Sequence, residues 1–207
     1  MSTRLPIKVV TNAILEGIKK AESDYQEWAD GDWLWRAPEY MLTVYVAKQI
    51  ANLNYSKYIT LENSTKDAME IAGANVKGGL HAKIRANGRV DILLWWARGD
   101  PRAVIELKNS VYSYRKIKKD VDRISRMLKT KSKESSLQFG TISFYMARYY
   151  KNGNSKEMMK KQIYKLLELV RNDASIYCTI ELEYSDIIVQ DTHNAWCCVN
   201  FIFKPKK

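Results

Sequence analysis

Cysteine, histidine and long apolar runs are scarce in this chain of 207 residues, and each shortage excludes a class of protein. The three cysteines, Cys178, Cys197 and Cys198, include no Cys-x-x-Cys spacing, so we expect neither a zinc knuckle nor a disulfide framework. Buried thiols of a cytosolic protein are the better interpretation. No apolar run approaches the ~18 residues of a membrane helix, and residues 1–6 lack the pattern of a signal peptide. The sequence therefore predicts a cytoplasmic protein with no membrane partner.

Two common catalytic patterns are also missing. The chain contains no Gly-x-x-x-x-Gly-Lys loop for nucleotide phosphates, and no serine, histidine and acid stand in a credible triad order. Of the two histidines, His81 could assist as a base, but a lone histidine is more often a polar surface residue. His193 stands in a late loop and is the weaker candidate. The chemistry must therefore depend on other side chains.

Positive charge, in contrast, is plentiful. The chain carries 34 Lys and Arg against 23 Asp and Glu, a net charge of +11. Residues 115–133 contain nine basic side chains and two aspartates, so this stretch carries +7 of that excess. Such a run is usually a solvated helix face, but its place after the charged hairpin described below favours phosphate binding. The expected partner is a nucleic acid, with DNA first and RNA as the alternative.

Apolar periodicity predicts a single α/β domain over residues 1–207, with a mixed central sheet flanked by helices. The first helix is an extension, residues 38–148 form the motif core, and residues 155–204 add a helix and strands. No internal repeat, low-complexity tract or separate recognition domain is present. We expect helices at 7–29, 38–52, 64–72, 113–130 and 155–171, and strands at 57–62, 80–85, 89–97, 103–109, 138–148, 175–184 and 195–204.

A hairpin in the middle of the chain carries charge where a buried strand should not. Its apolar strands, 89–97 and 103–109, are joined by a turn that contains glycine and proline. Asp91 lies near the start of the first strand, and Glu106 and Lys108 share one face near the end of the second. Such charges are costly unless they are paired or bind a metal. A salt-bridge cluster at a sheet edge is one interpretation; the apolar residues around them favour a central, doubly covered hairpin and a catalytic site.

The spacing Asp91 … Glu106-x-Lys108, after an upstream helix that bears Glu39, resembles the PD-(D/E)xK nuclease superfamily. The similarity covers the motif core, where only the motif positions can be matched. Val90 stands at the position of the family's proline, which varies widely. The resemblance implies a restriction-endonuclease-like core and a Mg²⁺-dependent nuclease, with Mn²⁺ as a substitute. Such a nuclease would act in restriction, phage defence, mobile elements or repair.

The chemistry of phosphodiester hydrolysis accounts for these residue types. Mg²⁺ prefers hard oxygen ligands and makes a bound water nucleophilic. Asp91 and Glu106 could share such an ion across the hairpin, and the resemblance adds the carbonyl of Leu107 and the carboxylate of Glu39. Lys108 could orient the attacking water or stabilise the charge that develops on the phosphate.

Residues that follow the motif are expected to hold the nucleic acid rather than to perform chemistry. Lys119 and Arg123 stand four residues apart on one helix face and could bind successive phosphates. Sequence specificity would come from core loops, from a homodimer or from a partner protein, with helix 7–29 or residues 33–35 as interface candidates. The full binding set is Asn109, Tyr112, Arg115, Lys116, Lys119 and Arg123.

Two alternatives stay open at the level of sequence. The aromatic segment 32–36 is either a lid packed on the core, which we favour, or a surface that stacks bases or binds a partner. The whole domain could also be a catalytically inactive nucleic-acid-binding or assembly subunit, or a module whose basic helix binds an acidic protein. The presence of Asp91, Glu106 and Lys108 together favours the nuclease.

Overall fold

The computed structural model describes residues 4–73, 88–129 and 135–206. Within them, seven strands form one mixed sheet and five α-helices flank it, so the predicted α/β class is confirmed. The helices are α1 Ile7–Trp28, α2 Glu39–Ala51, α3 Thr65–Ile71, α4 Lys118–Lys129 and α5 Ser155–Ala174. The strands are β1 Lys57–Ser64, β2 Arg89–Trp96, β3 Pro101–Lys108, β4 Phe139–Tyr149, β5 Cys178–Tyr184, β6 Ile188–Val189 and β7 Asn194–Pro205.

The predicted hairpin is confirmed, and it lies inside the sheet. The strand order is β1-β2-β3-β4-β7-β5, with β6 paired to β7. β2 and β3 pair antiparallel, with Ile92 opposite Ile105 and Leu93 opposite Val104. β3 and β4 run parallel, whereas the other pairings among the described strands are antiparallel. The acidic strand β3 therefore has a hydrogen-bonded neighbour on each side.

Helices cover the hairpin on both faces of the sheet. Ile92 and Ile105 belong to a buried cluster that includes the apolar stripes of α1 and α2. Leu93 and Val104 belong to a second cluster, with the apolar residues of α4 and α5. Burial on both faces explains why the strands read as nearly continuous apolar runs. Of the three charges on this hairpin, Glu106 is therefore buried, and Asp91 and Lys108 are half-buried.

Glycine allows the closest approach between α1 and α2. A Cβ built at Gly17 would lie 2.6 Å from the Cα of Val46, closer than real Cβ atoms come to backbone. α2 begins at Glu39, one residue after the predicted start, and Pro38 is the residue that flanks the helix. The packing of α1 on α2 therefore sets the position of Glu39.

Two elements differ from the prediction. The helix expected from residue 113 begins at Lys118, after a separate 3₁₀ turn at Tyr114–Lys116. Tyr114 donates a hydrogen bond from its hydroxyl to Asp173 of α5, at 2.6 Å, and this contact ties the turn to a neighbouring helix. The short strand β6 has no counterpart among the predicted strands.

Other expectations fall outside the described part of the chain or concern membranes. The strand predicted at 80–85 and His81 lie outside the described residues. None of the helices within 4–73, 88–129 and 135–206 combines the length and apolar character needed to cross a bilayer.

Candidate active site

The hairpin register brings Asp91 and Glu106 together. Continuing the pairing of Ile92 with Ile105 by one step places Asp91 opposite Glu106 on the neighbouring strand. Asp91 accepts a hydrogen bond at Oδ2 from the backbone N–H of Leu107, at 2.6 Å. Burial raises the pKa of Asp91, and this N–H, which favours the charged carboxylate, opposes the rise.

Glu106 is the most deeply buried acid of this group, with 1% of its surface exposed. Its Oε2 lies 2.5 Å from Nη2 of Arg123, while its Oε1 is buried and has no hydrogen-bond partner among the described residues. Burial raises the pKa of Glu106 well above its usual range; Arg123 lowers it, and Asp91 raises it further. Because a buried polar atom is normally paired, the free Oε1 requires an explanation.

Lys108 is surrounded by oxygen atoms. Its Nζ lies 3.0 Å from Oε1 of Glu39, 3.0 Å from the carbonyl oxygen of Leu107 and 3.9 Å from Oδ2 of Asp120. Burial lowers the pKa of Lys108, but the carboxylates of Asp120, Glu39 and Asp91 outweigh burial, so the pKa is raised. The ammonium is therefore held charged at the end of β3.

Glu39 supports this lysine from the first turn of α2. Its Oε1 binds Lys108, and its Oε2 accepts a hydrogen bond from the backbone N–H of Asn109 at 2.9 Å. Both carboxylate oxygens are thus engaged by the end of β3. Glu39 therefore positions Lys108, and the metal-ligand role that the resemblance implies for Glu39 stays a prediction.

Asn109, which the sequence analysis assigns to nucleic-acid binding, is buried and makes internal hydrogen bonds. Its side chain is 8% exposed and donates from Nδ2 to the carbonyls of Leu34, at 2.8 Å, and Ala37, at 2.9 Å. These carbonyls belong to the 3₁₀ turn Leu34–Arg36 and its last flanking residue, where backbone acceptors need partners. Asn109 therefore joins the end of β3 to the aromatic segment.

Arg123 is also buried, in contrast to the exposed phosphate-binding position that we expected. It is 4% exposed, and it contacts Glu106, Oδ1 of Asp120 at 3.1 Å and the backbone carbonyl of Arg89 at 2.9 Å. Lys119 of the same helix is exposed, so the two do not form one exposed face. The physical reason is that the buried carboxylate of Glu106 needs a cation.

Asp120 is the residue of this group that sequence reasoning missed. It is 5% exposed and lies against both Lys108 and Arg123. An acid in the first turn of a helix is already favoured by the helix dipole, so its type alone gave no reason to place it here. The available signal was its spacing of three residues from Arg123, which allows the two to pair on one helix face.

The remaining predicted binding residues lie on the surface after β3. Tyr112 is 46% exposed, and Arg115, Lys116 and Lys119 are exposed. Nζ of Lys116 lies 4.6 Å from the ring centroid of Tyr112 and 3.5 Å from the carbonyl oxygen of Asn109. These four side chains are available to a ligand that approaches the end of β3.

His193 and the three cysteines, which all lie in the described part of the chain, do not take part in this group. His193 stacks on Tyr149, and its Nδ1 lies 2.8 Å from the carbonyl oxygen of Tyr150. The three cysteines are free and buried, as predicted.

Two carboxylates, those of Asp91 and Glu106, decide whether a divalent cation could bind at this site. In the described ranges, no cluster of three or more His, Cys, Asp or Glu side chains is arranged to hold a metal ion. Mg²⁺, however, is commonly bound by one or two carboxylates together with water and substrate phosphates. The unpartnered Oε1 of Glu106, beside Asp91, fits such a site. The carbonyl oxygen of Leu107 and the carboxylate of Glu39 are less suitable as metal ligands, because Lys108 already donates a hydrogen bond to each.

Comparison with known proteins does not add a relative. No protein-family model matches the chain, and no curated protein or solved structure matches it significantly. The functional argument therefore depends on the side chains themselves.

Proposed function

We propose that this chain is a Mg²⁺-dependent nuclease that hydrolyses phosphodiester bonds of DNA. The fold that goes with this proposal is a restriction-endonuclease-like core of the PD-(D/E)xK type. One observation carries it: the buried Glu106 keeps an unpartnered oxygen, opposite Asp91 and two residues before a charged lysine. A carboxylate oxygen in this position, beside a second carboxylate and a charged lysine, is a suitable ligand for Mg²⁺.

Each side chain has a distinct part in this proposal. Asp91 and Glu106 would hold Mg²⁺, which when bound acts as a Lewis acid and lowers the pKa of a coordinated water. Lys108, held charged by its acidic neighbours, would stabilise negative charge on the phosphate oxygens or orient the water. Glu39 and Asp120 would position Lys108 and Arg123 rather than contact the substrate.

The surface near the site suits a polyanion. Arg115, Lys116 and Lys119 are exposed on the turn and helix that follow β3. Phosphate contacts of this kind give affinity without sequence information. This supports DNA binding that is independent of sequence in the domain itself, with specificity supplied by a second copy or a partner.

One observation favours a second candidate, a catalytically inactive nucleic-acid-binding or assembly subunit of the same fold. Arg123 already neutralises Glu106 at 2.5 Å, so the buried carboxylate has a counter-charge without any metal. A subunit that has lost catalysis could keep the acid for this ion pair alone.

The test is a digestion panel. Supercoiled plasmid and labelled duplex and single-stranded oligonucleotides are incubated with Mg²⁺, with Mn²⁺ or with EDTA. We expect metal-dependent cleavage, its loss in Asp91→Asn, and a fall of about 10²–10³-fold in Lys108→Ala, since a charge that stabilises the transition state is removed. Binding of duplex, measured by fluorescence anisotropy, should change little in either variant.

Asp186→Asn is the matched control, because this aspartate is exposed in the segment between β5 and β6 and its loss should leave cleavage unchanged. Equal cleavage by wild type and Asp91→Asn would show that the site is assigned wrongly. DNA binding without any cleavage by the wild type would favour the inactive subunit. A protein that neither binds nor cleaves nucleic acid would exclude both candidates.

A further inference from the structure

A cleft of about 880 Å³ lies beside the end of β3. The segment between α1 and α2, with Trp35 and Arg36, forms one wall, and Tyr112 with the end of β4 forms the other. Its volume lies within the range of about 300–1,000 Å³ that is typical of small-ligand sites. The cleft is therefore large enough for at least one nucleotide.

Three aromatic side chains of this cleft stay exposed. Trp35 is 47% exposed, Tyr112 46% and Tyr149 62%. Leu34, next to Trp35, is fully buried, and its N–H donates to the carboxylate of Glu22 at 2.8 Å. The segment is thus a lid on the core through Leu34, as we favoured, while Trp35 faces outwards. Exposed large apolar surface that is held on an anchored backbone is typical of a binding surface.

Cations accompany these rings. The guanidinium of Arg36 lies 5.0 Å from the ring centroid of Trp35, and Nζ of Lys116 lies 4.6 Å from that of Tyr112. Arg148, at the end of β4, donates from Nη1 to the carbonyl oxygen of Tyr112 at 3.3 Å. Aromatic platforms beside basic side chains are the arrangement that binds single-stranded nucleic acid.

The two walls differ in charge, and this difference orients a bound strand. On the wall of Trp35, Arg36 is paired with Asp32 at 3.2 Å, and Asp30 adds a further negative charge. On the opposite wall, Arg148 lines the cleft beside Tyr112, and no acid is among the residues that line this wall. Lys116 lies behind this wall, against the ring of Tyr112. Phosphates are therefore favoured near Lys116 and Arg148, with the bases directed into the cleft between Trp35 and Tyr112.

Contacts connect this cleft to the proposed active site. Asn109 follows Lys108 directly, and its side chain holds the carbonyl of Leu34, next to Trp35. Its own carbonyl accepts from Lys116, the cation over Tyr112. Asn109, the residue directly after Lys108, thus contacts the segments that form both walls of the cleft.

We propose that the cleft binds unpaired nucleotides of the DNA strand that continues from the scissile phosphate, with their bases stacked on Trp35 and Tyr112. The inference rests on the proposed nuclease function and names its substrate class: DNA in which a single-stranded flank adjoins a duplex. In a fully paired duplex the bases are already stacked on one another and cannot enter the cleft. The preference would therefore be for structure, not for sequence.

The experiment measures binding of full-length protein that carries Asp91→Asn, so that the DNA stays intact. Three fluorescent DNAs are compared by anisotropy: a blunt duplex, the same duplex with a 3′ single-stranded extension, and the same duplex with a 5′ extension. We expect one extension to raise affinity about 10-fold or more, which corresponds to the stacking of one or two bases. Trp35→Ala and Tyr112→Ala should each reduce the ratio of extended to blunt affinity several-fold.

Two variants separate stacking from general effects. Trp35→Phe keeps a ring on which a base can stack, so it should restore most of the ratio that Trp35→Ala loses. Tyr164→Ala removes a comparably exposed ring on α5, outside the cleft, and should leave the ratio unchanged. Equal affinity for blunt and extended duplexes, or an equal loss for both in Trp35→Ala, would overturn this inference while leaving the nuclease proposal intact. A protein that binds none of the three DNAs would overturn both.

Discussion

Glu22 of α1 is a second deeply buried carboxylate, outside the proposed catalytic group. It accepts hydrogen bonds from the Leu34 N–H and from the hydroxyl of Tyr145, each at 2.8 Å. Burial raises the pKa of Glu22, and these two donors, which favour the charged carboxylate, reduce the rise without cancelling it. The residue therefore holds the wall of the cleft in place and also makes stability depend on pH.

Replacing Glu22 by Gln should reveal that pH dependence. Because the pKa is raised in the folded state, the folded protein favours the protonated carboxyl, and this stabilisation is complete below the unfolded value of about 4.3. It is lost as the pH rises through the folded pKa. The free energy of unfolding of wild type relative to Glu22→Gln should thus fall from about pH 4 upwards, as measured by urea denaturation.

Glu27→Gln is the control for this series, since it makes the same replacement at an exposed position of the same helix and should change the free energy of unfolding by no more than about 0.5 kcal/mol. A difference between wild type and Glu22→Gln that stays constant or grows with pH would contradict the raised pKa.

At the same scale, the sequence predicts the charged residues of the hairpin but not the partners that hold them. Asp91, Glu106 and Lys108 stand out because strand alternation defines their faces. Arg123 was predicted to bind phosphate together with Lys119, because the two stand four residues apart on one helix face. Only the packing of α4 on the sheet shows that it reaches the buried Glu106. Periodicity describes one helix at a time, so it carries no information about such a contact.

At the scale of helices and strands, the contact between α1 and α2 leaves no room for a larger residue at Gly17. Gly17 meets the backbone of Val46, so an added methyl group cannot be accommodated by a change of side-chain rotamer. The helices would have to separate, and α2 would move Glu39 with it.

Gly17→Ala should therefore destabilise the fold by about 1–3 kcal/mol, the usual cost of overpacking, although alanine is the better helix former. Ser23→Ala, at an exposed position of α1, is the control and should stay within about 0.5 kcal/mol. Urea denaturation measures both. If Gly17→Ala proved as stable as wild type or more so, the close packing of α1 on α2 would be refuted.

The sequence predicts most of these elements within a few residues, because apolar periodicity and turn residues mark them. It is less successful after β3, where the helix begins five residues later than expected at residue 113. The extra 3₁₀ turn depends on the bond from Tyr114 to Asp173, which lies 59 residues away. Local sequence propensity carries no information about a contact between residues so far apart in sequence.

For the molecule as a whole, the excess of positive charge should govern binding. If exposed lysines contact phosphates, the logarithm of the DNA affinity should fall steeply and linearly with the logarithm of salt concentration. Lys119→Glu, on the exposed side of α4, should weaken binding to duplexes of any sequence and reduce that slope by about one. Fluorescence anisotropy across a salt series measures both quantities.

Lys20→Glu makes the same change of charge on α1, which packs on the opposite face of the sheet from α4. It should leave the salt slope nearly unchanged. Equal effects of the two variants would indicate a response to net charge, and no effect of Lys119→Glu would remove α4 from the DNA surface.

The position of β7 also bears on how the chain folds during synthesis. This strand follows all the others in sequence, yet it lies between β4 and β5 and pairs with both. Asn200 within it donates to the backbone carbonyl of Thr11, 189 residues away. Until the ribosome releases β7, the apolar β4 lacks a partner on that side, so the nascent protein exposes an open strand edge. Completion of the sheet thus requires pairing over a long sequence separation, and the open edge of β4 favours aggregation until β7 pairs with it.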